Sequence, residues 1–131
     1  MTRIIPQSLV LERAELSFPA NCATPIAASL SLAGAGFGAQ VELDFLQTGP
    51  QSWDIDVETE SGSLKLSLGG KDLLVDGQAV PLPPTLEYPD LYQRFADLVR
   101  GHQSDVDVAP LQLVADAFLC GRRVDVAPFV E

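Results

Sequence analysis

Ala39-Gln40-Val41-Glu42-Leu43-Asp44-Phe45 alternates apolar and polar side chains at every step. Successive side chains of an extended chain point to opposite faces. A period of two therefore predicts a strand with one buried face and one wet or paired face. The pattern continues on both sides of this stretch. Upstream, Ile26, Ala28, Leu30 and Leu32 are apolar and alternate with Ser29 and Ser31. Downstream, Trp53, Ile55 and Val57 alternate with Asp54, Asp56 and Glu58, and Leu64, Leu66 and Leu68 with Ser63, Lys65 and Ser67. A longer, less regular strand is predicted over Leu9 to Phe18. Turn residues separate the runs: Gly34-Ala35-Gly36-Phe37-Gly38, Glu60-Ser61-Gly62, Gly69-Gly70 and Asp76-Gly77. Asp76-Gly77 suits a type I′ hairpin, which wants positive φ at both central residues. Short strands joined in this way are antiparallel neighbours. Pro81, Pro83 and Pro84 then end pairing, because proline has no N–H to give a ladder.

Beyond the prolines the period changes. Leu91, Phe95, Leu98 and Val99 fall at helical spacing, with Asp90 near the cap and Gly101 just past the end. A second helix opens at Pro110, where a missing N–H costs nothing, and runs through Leu111, Val114, Phe118 and Leu119 to Gly121. Each helix carries one apolar stripe and is expected to lie on the apolar face of the sheet. The fold class that follows is α+β: one open-faced, mostly antiparallel sheet with two main helices packed on one face. With no repeat and no linker in view, residues 1–131 are expected to form a single domain.

Composition narrows the partners. Apolar residues make up 47% of the chain and charged residues 20%, a globular mix. Eighteen acids against eight bases give a net charge of -10. Such a field repels phosphate backbones and anionic headgroups, so neither nucleic acid nor a membrane surface is an expected partner. The opening Met1-Thr2-Arg3-Ile4-Ile5-Pro6 is broken by proline too early for the apolar core of a signal peptide, and a cytoplasmic location is expected. Cys22 and Cys120 stand far apart, and the single His102 does not complete a metal-ligand set, so reduced thiols and no metal are expected.

Motifs for catalysis are scarce. No GxGxxG follows a strand, and no GxxxxGK[ST] or GxSxG is present. Gly34-Ala35-Gly36-Phe37-Gly38 is glycine-rich, but it joins two strands and so offers phosphate no helix dipole; it reads as a hairpin loop. Asp54, Asp56 and Glu58 share a strand face, and Glu42 and Asp44 are placed on a possible neighbouring strand. Clustered carboxylates of this kind hold a hard cation, or simply form a solvated or subunit-facing surface that Lys65 partly relieves. Trp53, the only tryptophan, begins a strand just after Thr48-Gly49-Pro50. Its indole offers an apolar face and one N–H donor, which suits a sugar ring; the alternative is a core residue continuous with Ile55 and Val57.

Longer stretches carry a resemblance. Leu16-Ser17-Phe18-Pro19-Ala20-Asn21, Gln47-Thr48-Gly49-Pro50-Gln51-Ser52-Trp53-Asp54-Ile55 and Leu66-Ser67-Leu68-Gly69-Gly70 occur in order. Glu87-Tyr88-Pro89-Asp90-Leu91-Tyr92-Gln93-Arg94-Phe95 follows, then Ser104 to Asp107, Leu113-Val114-Ala115-Asp116-Ala117-Phe118 and Arg122-Arg123. Together they resemble the carboxy-terminal part of the bacterial galactose and arabinose 1-dehydrogenases, which belong to the glucose–fructose oxidoreductase and inositol dehydrogenase family. The resemblance covers nearly the whole chain.

It implies a two-domain parent, in which an amino-terminal Rossmann domain binds NAD or NADP and a sheet domain closes the sugar pocket and pairs subunits. The implied reaction oxidises an aldose at its anomeric carbon to a lactone, passing hydride to the nicotinamide and a proton to a protein base. The family's dinucleotide turn, its Glu-Lys-Pro segment and its Asp-Pro-Gly-Ile-Asn stretch have no counterpart here. The chain begins just after the last of these, and Met1 reads as an added start. No catalytic residue and no cofactor-binding residue is therefore expected in this chain, which is expected to be inactive alone. By position, Trp53 and Gln51 are the substrate-proximal candidates. Ile4 and Ile5 read as the end of a helix whose earlier turns are missing, so residues 2–7 are expected to fray. Apolar surface left by the absent domain is expected to favour self-association through the sheet. Two other readings are a stand-alone, non-catalytic module that pairs subunits or binds sugar, and a metal-dependent acidic module.

Overall fold

The computed structural model describes Ile5, residues 8–83 and residues 87–130. The expectation placed on residues 2–7 falls outside these, Ile5 apart, and so does Pro84. The class is α+β, with strands in the order the alternation predicts and two helices after them. The strands are β1 (Val10–Pro19), β2 (Ala27–Gly34), β3 (Phe37–Asp44), β4 (Ile55–Thr59), β5 (Gly62–Ser67), β6 (Asp72–Val75) and β7 (Gln78–Val80). Helices α1 (Glu87–Arg100) and α2 (Ala109–Cys120) follow, and β8 (Arg122–Val126) closes the order.

These strands form two four-stranded sheets where the sequence reading has one. The first runs β3-β2-β1-β8 and the second β4-β5-β6-β7. The change happens between Phe45 and Asp54. Gly49 takes a φ of 84° there and Pro50 has no N–H to give, so no ladder forms and β4 starts a new hairpin with β5 instead of extending β3. The chain accordingly divides into two compact units. One holds the chain up to Thr48 and again from Asp107, and the other holds Gly49–Val106.

In the first unit β2 pairs antiparallel with both β1 and β3, and β8 runs parallel to β1. The turn at Ala35-Gly36 joins β2 to β3 as a hairpin, with Gly36 at a φ of 86°. The polar faces of β2 and β3 are tied across the ladder: Ser29 Oγ donates to Glu42 Oε1 at 2.6 Å and Ser31 Oγ to Gln40 Oε1 at 2.9 Å. The core lies along β1, where Ala14, Leu16, Phe18 and Pro19 are buried, together with Leu32 and Ala117.

Helix α2 packs on β1, but not by the stripe its spacing suggests. Leu111, Val114, Phe118 and Leu119 are exposed, and the buried residue is Ala117. Small residues decide this approach. A β-carbon placed on Gly121, just past the helix, would collide with the Ala117 carbonyl oxygen and lie 3.1 Å from Ala14 Cβ. Close contact through Ala14, Ala117 and Gly121 seats the helix against the strand, while Leu113, Val114 and Phe118 face open space beside that contact. At the other end Pro110 lies in the first turn, and the Ala109 N–H donates to Asp107 Oδ1 at 3.0 Å.

The second unit is an up-and-down meander followed by α1. At Asp76-Gly77 both residues have positive φ, 50° and 74°, as a type I′ turn requires. Asp76 also accepts the Ser63 N–H at 2.7 Å through Oδ1, locking the β5–β6 side of the meander. The stripe of α1 is exposed at Leu91, Phe95 and Val99. Gly101 stands just past its last residue, Arg100, where the spacing places it, and His102 after it takes the left-handed conformation, at a φ of 49°. No helix among the described residues is long and apolar enough to cross a membrane.

Candidate functional site

Trp53 and Gln51 lie in the same irregular segment ahead of β4, and both are exposed. Trp53 is 52% exposed, which sets it apart from the half-buried Ile55 and Val57 that continue its alternation. The β4–β5 ladder begins at Ile55, opposite Leu66, so Trp53 stands two residues beyond the last pair with Asp54 between. Its backbone carbonyl accepts from the Gly69 N–H at 3.4 Å.

The acidic face beside it is organised around one cation. Lys65 stands directly opposite Asp56 in the ladder, and Asp54 lies two residues earlier on the same face. Its Nζ is 3.2 Å from Asp56 Oδ1 and 3.2 Å from Asp54 Oδ2. Hydrogen bonds to Asp56 and then Asp54 hold the ammonium above its ordinary pKa, because both partners favour the charged form. The carboxylates thus face an ammonium, not a vacancy for a hard cation. Glu42 and Asp44 lie on β3, which pairs with β2 in the other sheet. Among the described residues no three His, Cys, Asp or Glu side chains gather as metal ligands. The register of the β4–β5 hairpin carries the Lys65 clamp, and it is legible once Glu60-Ser61-Gly62 is taken as the turn.

The first unit holds a different feature. A cavity of about 460 Å³ opens between the apolar face of the β1–β3 sheet and α2, lined by Leu16, Leu30, Val41, Leu113, Val114 and Phe118 among others. With almost nothing there to hydrogen-bond a hydroxyl, it suits an apolar side-chain cluster and not a sugar. The glycine-rich turn of the β2–β3 hairpin meets no helix N-terminus, so it does not fit a dinucleotide pyrophosphate.

Asn21, the last residue of the Leu16–Asn21 stretch, holds the backbone that follows β8. Asn21 Nδ2 donates to the Phe129 carbonyl at 2.8 Å, and the Phe129 N–H donates to Asn21 Oδ1 at 2.8 Å. Nearby, Arg123 lies over the Phe18 ring, 4.0 Å from its centroid, and Arg122 pairs with Glu15 across the parallel β1–β8 ladder. The two cysteines are free, Cys120 exposed and Cys22 partly so.

Comparison with known proteins places these features in a longer frame. No family model matches the chain. It is 38% identical to a galactose 1-dehydrogenase of Pseudomonas fluorescens over 132 residues, covering 100% of this chain and 43% of that protein. It also superposes on the crystal structure of a D-galactose-1-dehydrogenase protein from Rhizobium etli with a TM-score of 0.91 and 46% identity, covering 98% of this chain and 41% of that one. The chain spans less than half the length of the relatives it matches.

Proposed function

We propose that this chain, which matches the carboxy-terminal part of a galactose 1-dehydrogenase, is the sheet domain of a cytoplasmic NAD(P)-dependent aldose 1-dehydrogenase that oxidises galactose or arabinose to its lactone. The observation that supports this is an end-to-end likeness in both sequence and backbone, with the remainder of each relative lying outside the match. Residues 1–131 act together as the substrate and subunit-pairing part, and the chain alone is inactive.

Within that enzyme Trp53 and Gln51 border the sugar. A half-exposed indole at the open end of a hairpin presents an apolar face to the C–H side of a pyranose, and its N–H reaches a hydroxyl. The Gln51 amide both donates and accepts, which matches the hydroxyl rim. The nicotinamide, held by another part of the protein, supplies the hydride acceptor. What this chain contributes is shape and orientation at the sugar, worth rate only insofar as it holds the reacting carbon in place. Self-association through the sheet accompanies this role, supported by the large apolar side chains exposed at the end of β3 and just past it, Leu43, Phe45 and Leu46.

The test is a paired assay. The uninterrupted reading frame, expressed whole, should reduce nicotinamide with galactose or arabinose, while the 131-residue chain should give no turnover. Turnover by the 131 residues alone, or an upstream frame that encodes no dinucleotide turn, overturns the proposal. Sedimentation as a strict monomer at high concentration removes the self-association part of it.

A further inference from the structure

We infer that Lys65 is the positioning residue of the Trp53 segment: by bridging Asp54 and Asp56 it extends the order of the β4–β5 hairpin one step past its ladder and fixes where the indole stands. This rests on the reading of Trp53 as a wall of the sugar pocket. The ladder stops at Ile55–Leu66, so strand pairing ends there. Among the contacts that reach beyond it are the Gly69 N–H on the Trp53 carbonyl and the Lys65 ammonium on the Asp54 carboxylate. The first is long at 3.4 Å and weak. The second joins a charge on β5 to the residue adjoining Trp53, and the ammonium is already anchored on Asp56 within the ladder. A single ion pair on an exposed surface does little, but one cation shared by two carboxylates at 3.2 Å each fixes the spacing between the strand and the segment that feeds it.

Asp54 and Asp56 face Lys65 from the Trp53 segment and β4, and its partner on β6 is the neutral Leu74; Glu58, opposite Ser63, and Asp72, opposite Ser67, share its face at the diagonal positions. Loss of either the ammonium or the Asp54 carboxylate therefore breaks the tie, whereas Asp56 can be neutralised with the Asp54 contact still in place.

Trp53 is the only tryptophan, so its emission reports this segment alone. Steady-state anisotropy and acrylamide quenching are measured on the 131-residue chain and on Lys65→Met, Lys65→Arg and Asp54→Asn, with circular dichroism as the check on folding. In Lys65→Met and Asp54→Asn the quenching constant should rise about twofold and the anisotropy fall, as expected for loss of a modest surface tie. Lys65→Arg, whose fork spans two carboxylates, should restore both readings. Should Lys65→Met fail to fold, Asp54→Asn carries the test, since it leaves the Lys65–Asp56 pair intact. Unchanged quenching and anisotropy in a folded Asp54→Asn overturn the inference. Titrating the emission of the full-length enzyme with galactose is a separate reading: no response there removes Trp53 from the sugar wall and leaves the quenching result to stand on its own.

Discussion

Asn21 and Phe129 hold each other by two hydrogen bonds of 2.8 Å, one in each direction, so that a side-chain amide takes the place of a neighbouring strand for the backbone that follows β8. Both partners are satisfied at once, which only an amide allows, because a carboxylate can accept but cannot donate. Asn21 follows the Pro19 end of β1, and the Ala20 N–H donates to the Val126 carbonyl at 3.2 Å, so the tie continues the β1–β8 pairing past its end. Asn21→Asp should free the Phe129 carbonyl, and Asn21→Ala should free both groups, at a cost of about 1 kcal/mol, since the site is exposed and water replaces the lost partners. Hydrogen exchange reads this directly. The Phe129 amide should lose protection in Asn21→Ala and keep it in Asn21→Asp, whose carboxylate still accepts, with the interior of β1 unchanged in both.

Gly121 tests how α2 is seated. Its φ of -69° is ordinary, so the need for glycine is one of space and not of backbone strain. Gly121→Ala drives a methyl group into the Ala117 carbonyl oxygen and against Ala14, both of which are buried backbone or packed side chain with nowhere to go. The expected loss is about 2–3 kcal/mol, seen as a lower denaturant midpoint with an unchanged slope. Ala117→Leu should cost as much by the same route, while Leu119→Ala, on the exposed side, should be nearly neutral.

These two sites show which parts of the fold the sequence discloses. Alternation from Ala27 to Ser67 and the turns between are local signals, and strands and hairpins follow from them with errors of a residue or two. Strand β8 is not disclosed, because its partner β1 lies more than a hundred residues away and a parallel pairing leaves no turn to announce it. The division into two sheets is equally silent, since strand periodicity says that β3 and β4 exist but not whether they meet. Helix α2 is plain from its spacing, yet the face it buries is chosen by Ala14, Ala117 and Gly121, whose small size carries no periodic signal. At the candidate site, Trp53 stands out as the sole indole after a turn, whereas Lys65 gains meaning only once the hairpin register sets it opposite Asp56.

The end of α1 offers a stabilising change. His102 N–H donates to the Val99 carbonyl at 3.2 Å and Gln103 N–H to the Leu98 carbonyl at 2.9 Å, the paired bonds of a Schellman ending. That geometry puts His102 at a φ of 49°, where its β-carbon crowds the backbone and a glycine would not. His102→Gly removes the strain and gives back part of the gain through a freer unfolded chain, for a net of about 0.5–1 kcal/mol. A melting temperature raised by a few degrees is the expected result. Gly101→Ala, one residue earlier and without positive φ, should give no such rise.

Alkaline titration examines the Lys65 bridge through stability. Hydrogen bonds to Asp56 and Asp54 raise the folded pKa of the ammonium above its unfolded value. A group raised on folding contributes its full stabilisation below the unfolded pKa, and loses it as pH climbs through the folded one. The bridge should therefore be intact from neutral pH to about 10, the region below an ordinary lysine, and fade beyond it. The informative quantity is the difference between the wild-type chain and Lys65→Met, in which contributions common to both chains cancel. That difference in melting temperature should be steady up to pH 10, vanish at higher pH, and shrink at neutral pH when salt is raised, because an exposed pair is screened. A difference that instead persists unchanged into strong alkali would mean that Lys65 acts through its aliphatic stem and not through its charge.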